Sequence, residues 1–131
     1  MEHQRFEGDR PRFGAVIDQV TEDSQFGYCE AGSPRWGQEV ESVNADVVLV
    51  GHTHVPAMRS FGSRVVVNPG SLGQRKTGSP EARYAVWRGG KFELKSCPYP
   101  VEEAVAKVQS MPIDGALCKE LSTILQTGTI P

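Results

Sequence analysis

Three features of the 131-residue sequence predict an α/β fold, a mixed β-sheet with flanking helices. Two apolar, β-branched runs, 45–50 and 64–67, each lead into a turn containing Gly or Pro, the pattern of buried strands. The alternating stretch Arg83–Lys95 folds back on itself about Gly89-Gly90, and past Pro100 apolar residues recur at helical spacing in two stretches separated by Pro112.

Taken in order, residues 13–18 read as a short strand, and 32–37 has the turn-rich composition of a loop in which Trp36 is a packing residue. Residues 38–44 supply one or two helical turns before the central strand at 46–50. Pro56 has no N–H to donate, so a continued central strand ends before it, and the next strand is expected at 64–67. Residues 72–82, rich in Gly, Ser, Pro and charge, read as a loop long enough to move over a site. In the hairpin, the positive φ angles available at Gly89-Gly90 allow a two-residue turn that pairs Arg88 with Lys91, Trp87 with Phe92, Val86 with Glu93 and Ala85 with Leu94. Trp87, Phe92, Ala85 and Leu94 then share one apolar face. A helix is expected over 101–110, with Glu102 and Glu103 set against its N-terminal dipole. A second over 115–125 has Asp114 as N-cap, Gly128 beyond its end, and Leu117, Leu121, Ile124 and Leu125 as its buried stripe.

Composition narrows the class of protein. The chain has the length of one domain, 1–131, and no apolar run approaches the roughly 18 residues that span a membrane. Cys29, Cys97 and Cys118 are odd in number and form no C-x-x-C, which fits reduced thiols and a cytoplasmic protein. Net charge is −2 but unevenly distributed: −6 over residues 1–46, +6 over 47–97 and −2 over 98–131. The basic block reads either as ordinary solvated charge or as a phosphate-attracting surface near Arg75, Lys76 and Arg83. A sequence pI of about 5.9 and the lack of a single basic run give no strong nucleic-acid signature.

The chemistry is concentrated where the central strand ends. Residues 45–56 run from an apolar strand into His52 and His54, two of the three histidines. In an extended segment those side chains project to one side, about 7 Å apart, and converge on one metal or on neighbouring ones. The alternative is a pair of hydrogen-bonded loop histidines.

Gly51-His52-Thr53-His54 followed by Asn68-Pro69-Gly70-Ser71 resembles the C-terminal half of calcineurin-like metallophosphoesterases, in particular their small bacterial and archaeal phosphodiesterase branch. The similarity covers about residues 29–128 and leaves 1–28 unmatched. It implies about half of that family's β-sandwich, and a divalent-metal centre of manganese, nickel, iron or zinc at the strand ends. By the same resemblance His52 binds one metal and His54 the other, and the active-site loop of Gly51, Asn68, Gly70 and Ser71 shapes the floor, with Asn68 a further ligand at most. Arg75 and Lys76 are the candidate phosphate contacts.

The family's other ligand blocks read D-x-H, G-D-x-x-D, G-N-H-D/E and a lone H-G, and this sequence departs from all of them. Asp18 is followed by Val20 where D-x-H requires histidine, Gly8-Asp9 is only a dipeptide, and Ala31 stands where the lone histidine should be. Two cations held about 3.5 to 4 Å apart need bridging carboxylates to offset their repulsion, and two neutral imidazoles cannot replace them. Resemblance therefore implies metal-dependent hydrolysis of a phosphoester, a phosphodiester by the branch it resembles, whereas ligand count implies an inactive or remodelled half-domain acting as a binding or structural module. A product of a longer reading frame is the third expectation. Half of a two-sheet fold also leaves a sheet edge or face open, which predicts a homodimer or homo-oligomer.

Overall fold

The computed structural model describes Pro11, residues 13–16 and residues 34–131. Asp9, Asp18, Cys29 and Ala31, all singled out in the sequence, lie outside the described residues. Among the described residues the elements run β1 (Phe13–Val16), α1 (Trp36–Ser42), β2 (Val47–Val50), β3 (Ala57–Phe61), β4 (Arg64–Asn68), β5 (Ala82–Arg88), β6 (Lys91–Cys97), α2 (Val101–Gln109) and α3 (Gly115–Thr127). They form a four-stranded sheet of order β1-β2-β4-β3 and a two-stranded sheet β5-β6. The larger sheet is mixed: β1, β2 and β4 are parallel, and β3 runs antiparallel to β4.

Its central strands read as unbroken apolar runs because both faces are covered. Val48, Val50 and Val66 point toward Trp36, Val40 and Ala45, so α1 lies on one face. Val47, Val65 and Val67 point the other way, onto Phe92, Ala85 and Trp87 of the hairpin. Phe13 closes this second layer edge-on to Trp87, with ring centroids 5.6 Å apart. Such aromatic contacts add about 0.5–1.5 kcal/mol beyond the area they bury. The hairpin has the register expected from its turn, with φ of 57° and 79° at Gly89 and Gly90. Leu94 stands on the expected face but at its rim, 38% exposed.

Two expectations fail for identifiable reasons. The sequence predicts no strand between Pro56 and Arg64, yet β3 lies there. Pro56 only ends β2's run: the new strand starts one residue later at the sheet edge, where no ladder bond from a proline N–H is required. The second failure is the loop after Ser71, which is anchored rather than free to move. Arg75, fully buried, donates from Nη1 to Leu72 O at 2.8 Å and from Nη2 to Leu125 O at 2.7 Å, and its guanidinium lies 4.7 Å from the centre of the Tyr99 ring. Leu125 O belongs to the last turn of α3, whose carbonyls lack intrahelical partners and attract cations. Gly78 N donates to Gly128 O at 2.9 Å. Gly128 has φ +68°, and a Cβ there would run into the Ser79 backbone.

The helical pair forms where its sequence signals put it, but the stripe expected to be buried on α3 is only partly so: Leu121 and Leu125 are half-buried and Leu117, near the exposed first turn, is 44% exposed. Asp114 Oδ1 accepts from Ala116 N at 2.8 Å and Leu117 N at 3.3 Å, capping α3. Val105 and Ile124 are buried. No described helix is long and apolar enough to cross a membrane.

Candidate functional site

Parallel β2 and β4 end side by side, and the two loops that leave them are tied together by one side chain. Asn68, the last residue of β4, is 4% exposed. Its Nδ2 donates to Gly51 O at 3.1 Å and to Thr53 Oγ1 at 3.0 Å, while its Oδ1 accepts from Gly70 N at 2.9 Å. The amide therefore clamps the histidine loop to the Asn68–Ser71 loop. Its bonds show a positioning role rather than the ligand role considered from the sequence.

The clamp holds an unusual backbone. His52 and His54 have φ of +70° and +61°, the two positive-φ residues other than glycine among those described. Thr53 N donates to Gly51 O at 2.9 Å, closing a three-residue turn around His52. Each such left-handed residue costs about 1–3 kcal/mol and persists only where surrounding contacts fix it. This overturns the alternation argument: residues 51–54 turn rather than extend, so strand periodicity does not set where the two rings point. Nearness of the two histidines rests instead on the tight loop that Asn68 closes.

Gly70, with φ +88°, sits in a slot that admits no side chain. A Cβ there would lie 2.8 Å from Arg83 Cβ and 3.2 Å from the Pro56 ring. Ser71 O accepts from Arg83 N at 3.0 Å, and Ser71 Oγ accepts from Gln74 N at 3.1 Å. Gly51, Asn68, Gly70 and Ser71 are thus brought together with the histidine loop. Arg75 is not: its buried guanidinium is spent on Leu72, Leu125 and Tyr99, so it cannot contribute to the phosphate-attracting surface read from the charge pattern. Lys76 is exposed on the loop beyond. Thr53, lying between the histidines, is an anchor that the sequence reading passed over.

The chemistry of the histidines differs. His52 is exposed, whereas His54 is half-buried and its Nδ1 is buried without a hydrogen-bond partner. An unsatisfied buried polar atom costs about 1–3 kcal/mol, so this nitrogen fits a role as ligand to a species outside the chain. Among the described residues no group of three or more His, Cys, Asp or Glu side chains is placed to hold a metal ion.

The sequence model of the calcineurin-like phosphoesterase superfamily domain matches residues 20–88, which contain both loops of the site. A metallophosphoesterase from Sphaerobacter thermophilus superposes with a TM-score of 0.71 at 18% identity, over 96% of this chain and 59% of that one. A hypothetical protein from Pyrococcus horikoshii superposes with a TM-score of 0.64 at 19% identity, over 91% of this chain and 47% of that one. At these identities the likeness is one of fold, and the chain spans between about half and three-fifths of the length of these structures. No curated protein matches the sequence. The family match begins earlier than the resemblance read from the motifs and stops at the hairpin turn, so α2 and α3 join the comparison through the fold alone.

Proposed function

Because the chain belongs to the calcineurin-like phosphoesterase superfamily, we propose that it is a remodelled member: a cytoplasmic, self-associating binding module that takes a divalent metal and a phosphoryl group at its histidine loop and is weak or inactive as a lone hydrolase. The observation that carries this reading is the buried, unpartnered Nδ1 of His54 in a loop held against its own strain by Asn68.

His52 and His54 would hold the metal, manganese, nickel, iron or zinc, and when bound it would supply Lewis-acid polarisation of a phosphoryl oxygen. Asn68 keeps the turn shut, and the slot at Gly70 lets Pro56 and Arg83 approach the loop closely. The described residues fit weak mononuclear binding and do not fit a dinuclear centre, which needs carboxylates beside the imidazoles. Support for self-association comes from the fold: β5 and β6 form a two-stranded sheet among the described residues. Sheet edges of that kind favour a second copy.

Hydrolysis is the second reading, favoured by the family match across both loops. In that case an acid from another subunit completes the site, and activity rises with protein concentration. Manganese titration followed calorimetrically, with a His52→Ala, His54→Ala double variant as control, tests the binding reading. A chromogenic phosphodiester assay across a dilution series tests the other. Manganese binding lost in the double variant, with no turnover in dilute protein, is expected. Robust turnover independent of dilution and abolished by the double substitution would replace the binding module with a self-sufficient enzyme.

A further inference from the structure

Resting on the phosphoryl-binding reading, we propose that Arg83 contacts the phosphoryl oxygens of a ligand at the histidine loop, and that Glu81 is the carboxylate this ligand displaces. Ala85 and Trp87 pack against the inner face of the larger sheet. Arg83, two residues earlier on β5, lies on that same face by strand alternation, at the end of the inward row. That end abuts the site: Arg83 N donates to Ser71 O at 3.0 Å, and the Arg83 Cβ lies against the slot at Gly70, across from Pro56. Gly70 N in turn donates to the Asn68 amide that holds the histidine loop.

The donors of Arg83 are only partly used. Its Nε is buried without a partner. Its Nη2 faces Glu81 Oε2 at 3.8 Å, with the two side chains 27% and 42% exposed. A charge-assisted bond from a guanidinium to an oxyanion closes to about 2.7–2.9 Å and is often bidentate. The Glu81 contact is longer than that and leaves the fork open. Arg75 differs at its Nη atoms: both donate to carbonyls and the side chain is fully buried, whereas Arg83 is half-buried and its Nη2 meets only the long Glu81 contact. Phosphate geometry matches such a fork, and a phosphoryl dianion outcompetes a single partly solvated carboxylate for it.

The test measures inorganic phosphate binding to the manganese-loaded full chain by calorimetry, with manganese affinity measured separately in phosphate-free buffer. Arg83→Met is expected to weaken phosphate binding about tenfold or more, the scale of a hydrogen bond to a charged group, and to leave manganese affinity within about twofold. Glu81→Gln, which removes the competing charge, is expected to tighten phosphate binding several-fold, a gain that a merely structural ion pair would not give. Manganese binding with phosphate affinity indifferent to Arg83→Met would overturn the assignment of Arg83 and leave the histidine reading standing. Equal loss of manganese and phosphate affinity would also overturn it, by making Arg83 a support for the loop. A wild-type chain that binds neither would overturn both readings. If Arg83→Met does not give a cooperative melt, Glu81→Gln decides alone: unchanged or weaker phosphate binding refutes the proposal.

Discussion

Replacing Asn68 with alanine is the most informative perturbation of the loop pair, because three hydrogen bonds, at 3.1, 3.0 and 2.9 Å, converge on one buried amide. The net value of each is about 0.5–1.5 kcal/mol, and at a site only 4% exposed the Gly51 carbonyl and Gly70 N–H gain little water in exchange. Release of the left-handed backbone at His52 and His54 works in the opposite direction, at about 1–3 kcal/mol per residue if relaxation is complete. A net loss of about 2–3 kcal/mol is expected, smaller than three hydrogen bonds and the void would suggest. Denaturant unfolding measures it, and hydrogen exchange resolves it: the amides of Thr53 and Gly70 should lose protection while those of β2 keep theirs. A double-mutant cycle with Thr53→Val isolates the Nδ2 to Oγ1 bond, with a coupling of about 0.5–1.5 kcal/mol. A loss below about 0.5 kcal/mol, with loop exchange unchanged, would refute the clamp.

Three further perturbations test the surrounding scaffold. Gly128→Ala places a Cβ against the Ser79 backbone at φ +68° and is expected to cost about 2–4 kcal/mol, read as a lowered melting temperature. Arg75→Met removes both hydrogen bonds of a fully buried guanidinium, to Leu72 O and Leu125 O, and should cost about 2–4 kcal/mol, with exchange rising at the C-terminal end of α3 and in the 72–80 loop together. Asp114→Ala removes two cap bonds at the N-terminus of α3 for about 1 kcal/mol, measured by urea unfolding, without altering manganese binding.

Legibility in the sequence tracked how local each cause is. The Gly89-Gly90 turn, the Asp114 cap and the Gly128 terminus are set by residues within a few positions of one another, and their elements appear where the spacing puts them. β3 was hidden because its half-buried residues, Ala57, Arg59 and Phe61, alternate with exposed Met58 and Ser60 in a run too mixed to stand out after a proline. Arg75 misled for a different reason: nothing in its charged, turn-rich neighbourhood shows that it docks on a helix terminus fifty residues away. The grouping of Gly51, Asn68, Gly70 and Ser71 followed from motif order, but not the means. Strand alternation argued for an extended His52–His54 pair, whereas the loop is a turn that only the long-range bonds of Asn68 make tolerable.

That substitution of a clamp for a strand bears on what the site is suited to do. Left-handed φ at two non-glycine residues is a standing cost that glycine at either position would relieve, so stability alone gives no reason for histidine there. The imidazoles are the difference, and one presents a buried nitrogen with no partner among the described residues. Around them the charge balance differs from that of a dinuclear site. The described residues supply no carboxylate cluster to neutralise two cations, while Arg83 stands beside the loop with its Nε unpartnered and its Nη2 in a long contact with Glu81. A cationic side chain close to the site opposes accumulation of metal charge and favours an anion, in proportion to how poorly water screens it. In the proposed reading, Arg83 therefore strengthens the hold on a phosphoryl group at a loop around which the described residues form no carboxylate cluster.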